Sequence, residues 1–139
     1  MIYETYSEEE TKKIGYEIGK MAKPGEVYCL EGDLGVGKTV FTKGFAEGLD
    51  IHEHITSPTF TIVNEYKGTH KFNHFDVYRI ENSEEMEEIG FDEYIYSDAI
   101  TLIEWPSLIS DILPRECINV TIVKELEKGL DYRKIEIIK

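Results

Sequence analysis

The 139-residue sequence predicts an α/β fold: a mixed, mostly parallel sheet with helices on both faces and antiparallel edge strands. Three observations lead there. Apolar runs of strand length alternate with segments of helical period. A glycine-rich loop joins one buried strand directly to a helix. The last two apolar runs are separated by a turn near Gly129, which suits an antiparallel pair.

In chain order, MIYETY reads as a short strand. Ser7, with Glu10 three residues on, forms a capping box that starts a helix. Ile14, Ile18, Met21 and Ala22 give that helix one buried face, and Pro24-Gly25 ends it. EVYCLEG is a strand, and GDLGVGKT follows as a loop. The next helix runs from about Lys38 to Leu49, with Phe41, Phe45 and Leu49 on one stripe. TSPTFTIVNEY reads as a turn and an extended run. HKFNHFDVYRI is a second extended run, joined through Lys67-Gly68 as a hairpin. SEEMEEIGFDEYI is one short acidic helix, AITLIEW a strand, and PSLISDIL a short helix opened by Pro106. CINVTIV and YRKIEIIK close the chain as strands.

The length fits one domain over residues 1–139 and can bury a core without disulfides. Fifteen basic residues face 28 acidic ones, a net charge of −13. Such a surface repels nucleic acid over most of its extent, so any RNA-related role runs through a partner or a local basic spot. Cys29 and Cys117 sit alone in apolar runs and read as two buried structural thiols. The first 13 residues lack a signal-peptide core and no apolar run reaches membrane-spanning length, so the expectation is a cytoplasmic protein that makes no membrane contact.

The loop carries the chemistry. Gly32 to Thr39 fits G-x-x-x-x-G-K-[ST] between a strand and a helix, which is where backbone amides converge. Gly32, Gly35 and Gly37 permit backbone angles that a Cβ would forbid. Successive N–H groups then wrap an anion, and the helix N-terminus adds its dipole. The binding run is Asp33, Leu34, Gly35, Val36, Gly37, Lys38, Thr39 and Val40. Lys38 reaches the β and γ phosphates of a nucleotide, and the Thr39 hydroxyl ligates Mg²⁺. At average residue usage the pattern arises by chance in roughly one chain of this length in a few hundred. A dinucleotide fingerprint fails, because Gly35-x-Gly37 is followed by Val40 where a third glycine is required.

A magnesium nucleotide needs a further carboxylate. Glu104 ends the apolar run ITLIE, at the carboxyl end of a buried strand, and is favoured as the direct or water-mediated Mg²⁺ ligand. Asp76 shares a strand face with His74 and Tyr78, opposite Phe75 and Val77. It is assigned to orienting the attacking water or to the outer shell of the metal; the exchanged assignment is also compatible with the sequence. Ser57 and Thr59, in a loop after the helix, suit sensing of the γ-phosphate, and Trp105 suits a gate moving with nucleotide state. His52, His54, His70 and His74 lack the spacing of a transition-metal site. The run Glu84, Glu85, Glu87, Glu88 reads as a solvated helix face.

Taken together, LEGDLGVGKTVFTKGFAEGL, SPTFTIVNEY, HFDVYRI, EEIGFDEYI and LIEWP resemble the bacterial TsaE family, also called YjeE, over roughly residues 7 to 115. The resemblance implies a P-loop ATPase-like domain that binds ATP and Mg²⁺ and is required for threonylcarbamoyladenosine in tRNA. It implies action with a TsaD–TsaB-like complex, with tRNA touched only indirectly. Carried over by position, Thr39 and Glu104 match the Mg²⁺ ligands, Asp76 the catalytically important acid and Trp105 the aromatic beside it. Arg133 falls where the family often has an arginine near the nucleotide, and Glu8 approaches the adenine side. Val40 stands where a second threonine is frequent.

Three function classes follow. The first is an ATPase subunit of a tRNA-modifying assembly, with Lys38, Asp76 and Glu104 as the catalytic set. The second is a small-molecule kinase, which needs an acceptor pocket and an arginine-bearing lid; only Arg79, Arg115 and Arg133 are available. The third is a switch that binds without hydrolysing, against which Asp76 and Glu104 argue. No arginine finger stands near the loop, so hydrolysis by the chain alone is expected to be slow, and faster with its partner.

Overall fold

The computed structural model describes residues 1–33, 35–56, 58 and 62–139. Along them run β1 (Ile2–Thr5), α1 (Glu8–Met21), β2 (Val27–Glu31), α2 (Lys38–Gly48), β3 (Val63–Lys67) and β4 (Lys71–Asp76). Then come α3 (Glu84–Glu88), α4 (Phe91–Ile95), β5 (Ile100–Glu104), a 3₁₀ segment (Pro106–Ile112), β6 (Ile118–Val123), a 3₁₀ turn (Leu126–Lys128) and β7 (Arg133–Ile138).

The strands form one sheet in the order β1-β7-β6-β2-β5-β4-β3. β6, β2, β5 and β4 are parallel and occupy its middle. The margins are antiparallel: β7 pairs with β6 and β1 with β7, while β3 pairs with β4 as a hairpin closing between Lys67 and Lys71. β2 (VYCLE) and β5 (ITLIE), at the centre, are near-continuous buried runs because both of their faces are covered, whereas β6 alternates buried and more exposed positions.

α1 and α2 cover one face. Phe41 and Phe45 of α2 are fully buried, packed among Tyr28, Leu30, Phe72 and Leu102 of the sheet; each buried phenylalanine contributes about 1.5–3 kcal/mol. The two helices meet backbone to backbone. A Cβ added at Gly15 would run into the Phe41 carbonyl, and one at Gly44 into the Lys12 carbonyl. The Ser7 hydroxyl caps α1 by accepting from Glu10 N–H at 3.2 Å. Glu10 Oε1 accepts in return from Tyr6 N–H, one residue before the cap. α3, α4 and the 3₁₀ segment cover the other face, with Met86, Phe91, Ile95 and Ile109 against Val27, Phe75 and Ile103.

Three local readings change. The acidic segment is two helices, not one, because Gly90 takes a left-handed conformation (φ 76°) between them. The segment after Pro106 is a 3₁₀ helix kinked at Ile109. The two cysteines are neither alone nor both buried. Cys29 is buried and Cys117 half-buried, and Cys117, just before β6, comes close enough for its thiol to interact with that of Cys29. Burial and the neighbouring Cys117 thiol push the Cys29 thiol well above its ordinary value. Among the described residues no helix is long and apolar enough to cross a membrane.

Candidate functional site

β2, β5 and β4 run parallel, so their carboxyl ends emerge together. Leu30, Glu104 and Asp76 stand in register across these three strands. Leu30 belongs to the core beneath α1 and α2, so the two acids face the side that carries α2. An open α/β sheet places its ligand crevice there.

The loop between β2 and α2 is built to be approached closely. Gly35 (φ 75°) and Gly37 (φ 105°) are left-handed, a conformation that favours glycine. Gly37 is the N-cap of α2; no side chain caps that end, and no acid lies in its first turn. Its N–H groups and dipole are thus directed at an anion. At Gly32 a Cβ would press on Val36 Cγ1 (2.7 Å) and on the Ile122 carbonyl (2.8 Å).

Lys38 is 6% exposed, and its Nζ has no hydrogen-bond partner among the described residues. The ammonium instead rests 3.4 Å from the centroid of the Trp105 ring. Burial draws Lys38 below the ordinary lysine value, against the pull of Glu104, Asp76, Glu31 and Asp33. A buried cation without a hydrogen-bond partner among the described residues, at the start of an uncapped helix, fits a phosphate. The four surrounding carboxylates would repel a bare polyphosphate, so the donor set suits one that arrives with a divalent cation. Among the described residues no group of three His, Cys, Asp or Glu forms a ready-made metal site. The cation would therefore draw most ligands from phosphate and water, as Mg²⁺ does at nucleotide sites.

Glu104 is buried, 4% exposed, and His74 Nε2 lies 2.6 Å from its Oε2. Asp76 is half-buried, and its Oδ1 accepts from Tyr78 N–H at 3.1 Å. Burial first, and the Glu104 charge in addition, raise the Asp76 carboxyl above its ordinary value, with the Tyr78 N–H opposing. Thr39 is exposed, in the first turn of α2. Trp105 is left-handed (φ 62°), and its ring stands 4.8 Å from that of Tyr78.

Lys38, Asp76, Glu104 and Trp105 thus converge. Tyr78 does not share the face of His74 and Asp76, because β4 ends at Asp76; it lies exposed and turns onto Trp105. Arg133 supports the loop from behind: Nε donates to the Val36 carbonyl (2.6 Å), and Nη1 donates to the carbonyls of Leu130 (2.8 Å) and Tyr132 (2.7 Å). Beside it, Glu8, Gly35, Gly37, Val40 and Arg133 line a cavity of about 60 Å³, together with Thr11 and Asp131. Thr11 and Asp131 were not anticipated; only the β1–β7 pairing brings α1 and the start of β7 together. Leu34, Ser57 and Thr59 lie outside the described residues. Alternation with Asp76 puts His74 on the right face, but its contact with Glu104, 30 residues away, has no signal in the sequence.

A model of the family described as "Threonylcarbamoyl adenosine biosynthesis protein TsaE" matches residues 5–135. The chain is 48% identical over 134 residues to the tRNA threonylcarbamoyladenosine biosynthesis protein TsaE of Bacillus subtilis, covering 96% of this chain and 82% of that protein. It is 38% identical over 116 residues to the protein of the same name from Treponema pallidum, covering 84% of this chain and 86% of that one. A crystal structure of YdiB from Bacillus subtilis matches with a TM-score of 0.83 and 43% identity, covering 97% of this chain and 82% of that chain.

Proposed function

The chain belongs to the TsaE family, and from that premise we propose that it is a Mg²⁺-dependent P-loop ATPase serving threonylcarbamoyladenosine modification of tRNA, in one domain. The observation that carries the reading is the buried Lys38 ammonium, without a hydrogen-bond partner among the described residues, between an uncapped helix start and the carboxylates of Glu104 and Asp76.

In this reading the amides from Asp33 to Val40 cradle the phosphates of ATP, and Lys38 leaves the Trp105 ring to neutralise them. Thr39 and Glu104 would hold Mg²⁺, which supplies charge neutralisation on the phosphate oxygens. Asp76 orients the attacking water. Burial raises its carboxyl above the ordinary value, the direction in which a proton-accepting group gains basicity. Glu8 and Arg133 flank the nucleotide beside the cavity they share. Ser57 and Thr59 keep the γ-phosphate-sensing role, with Trp105 as the gate. The kinase alternative gains no support: Arg133 is spent on three loop and strand-edge carbonyls.

The partner proposed is a TsaD–TsaB-like complex, with tRNA met through it; the net charge of −13 agrees with that division. Phosphate release measured with and without the purified complex tests the assignment. Slow release alone and faster release with the complex are expected; equal rates would reject partner activation. Recovery of tRNA-modifying proteins from an extract on the immobilised chain, with a non-hydrolysable ATP analogue, separates this reading from a kinase.

A further inference from the structure

His74 is 1% exposed, inside the sheet face that carries α2. Its ring lies parallel to that of Phe72, 6.2 Å between centroids and 4° between planes. Its Nε2 is 2.6 Å from Glu104 Oε2, and its Nδ1 is buried with no partner among the described residues. A histidine serving the core alone would satisfy both nitrogens where it can, because an unmet buried polar atom is costly. Here the ring sacrifices one nitrogen and gives the other to a carboxylate. Nε2 donates, since a carboxylate oxygen only accepts. Phe72 fixes the plane of the ring, and the ring fixes the rotation of the carboxylate.

We infer that His74 is a positioning residue for the cation site: by holding Oε2 of Glu104 it presents Oε1 as the single oxygen that meets Mg²⁺. The inference rests on the reading of Glu104 as a Mg²⁺ ligand. Ligating carboxylates are commonly held by a second hydrogen bond, and loss of that partner typically weakens the metal 10- to 100-fold. Here the partner is a buried ring on the neighbouring strand, so the carboxylate is set before any ligand arrives.

The test uses Mn²⁺ as probe, with the full chain saturated with ADP so that no turnover is involved. Free Mn²⁺ is read by electron paramagnetic resonance. His74→Phe, which keeps the stack on Phe72 but removes the donor, is expected to weaken Mn²⁺ about 10- to 100-fold. His74→Gln, whose amide also donates, restores most of the affinity. In a Glu104→Gln background the His74→Phe effect disappears, because there is no ionised oxygen left to place; a merely structural role would leave it intact. Mn²⁺ affinity within twofold of wild type in His74→Phe, with Glu104→Gln still weakened, overturns the inference and leaves the ligand assignment standing. Unchanged affinity in Glu104→Gln overturns the ligand assignment and the inference with it. If thermal melting shows that His74→Phe does not fold, His74→Asn, which shortens the donor away from Glu104, takes its place under the same criteria.

Discussion

The ammonium of Lys38 rests on the face of Trp105, 3.4 Å from the ring centroid, and Trp105 holds that ring out on a left-handed backbone (φ 62°). A cation on an aromatic face is worth about 0.5–2 kcal/mol. A phosphate offers the same ammonium a stronger, charge-assisted partner. Nucleotide binding is therefore expected to strip Lys38 from the ring. Trp105 is the only tryptophan, so its emission reports the event directly. Titration with ADP and Mg²⁺ should shift the emission, and Lys38→Met should abolish the shift. Constant emission in wild type while calorimetry records binding would refute the displacement.

Lys38→Met is also expected to separate stability from function. Burial depresses the folded-state value of Lys38, so keeping the charge costs the native state free energy at every pH below that value. The penalty fades as pH rises towards the ordinary 10.5. At pH 7 the methionine variant should melt at or above wild type, by up to about 1 kcal/mol, yet fail to bind nucleotide. Thermal melts at pH 7 and pH 10 check the sign: the gap narrows at the higher pH.

Asp76→Asn should spare nucleotide affinity and cut turnover by about 10²–10⁴. It keeps an oxygen for the Tyr78 N–H. The folded-state value of Asp76 is raised, so its contribution to stability is fully present below the ordinary 3.8 and is lost as pH rises through the raised value. The variant should therefore melt above wild type at pH 7 and approach it near pH 4. Opposite outcomes for Asp76→Asn and Glu104→Gln, with Asp76 governing metal dependence and Glu104 sparing it, would exchange the roles of the two acids.

Gly44→Ala should destabilise the fold by about 1–3 kcal/mol. Its new methyl would meet the Lys12 carbonyl, a backbone atom that cannot rotate away. A lower urea midpoint with an unchanged slope is the expected signature.

Arg133→Met should weaken Mg-ADP roughly tenfold, the effect of losing about 1.4 kcal/mol from a charge-assisted bond to the Val36 carbonyl. Arg133→Lys should not restore it, because one ammonium cannot reach the three carbonyls that the planar guanidinium spans. Isothermal calorimetry of both variants decides the point.

Much of this was legible in one dimension. The glycine spacing of residues 32–39, the strand before it and the helix after it are local facts, set by which backbone angles each residue tolerates. So are the Ser7 cap and the hairpin across Gly68. Glu104 and Asp76 could be singled out because a charge that ends or alternates within an apolar strand breaks a period of two.

The sequence by itself therefore determined the phosphate loop, the strands and helices that flank it, and which acids lack an apolar reason to be where they are. Only the tertiary structure decided what those groups touch. His74 and Glu104 are 30 residues apart and meet because β4 lies beside β5 in one particular register. Trp105 meets Lys38 because the end of β5 lies beside the end of β2. Cys29 meets Cys117 through β6, and Arg133 reaches Val36 from the far end of the chain. Local patterns follow from backbone sterics and the period of burial. Strand order and register follow from the packing of the whole core, and no short window of residues encodes them.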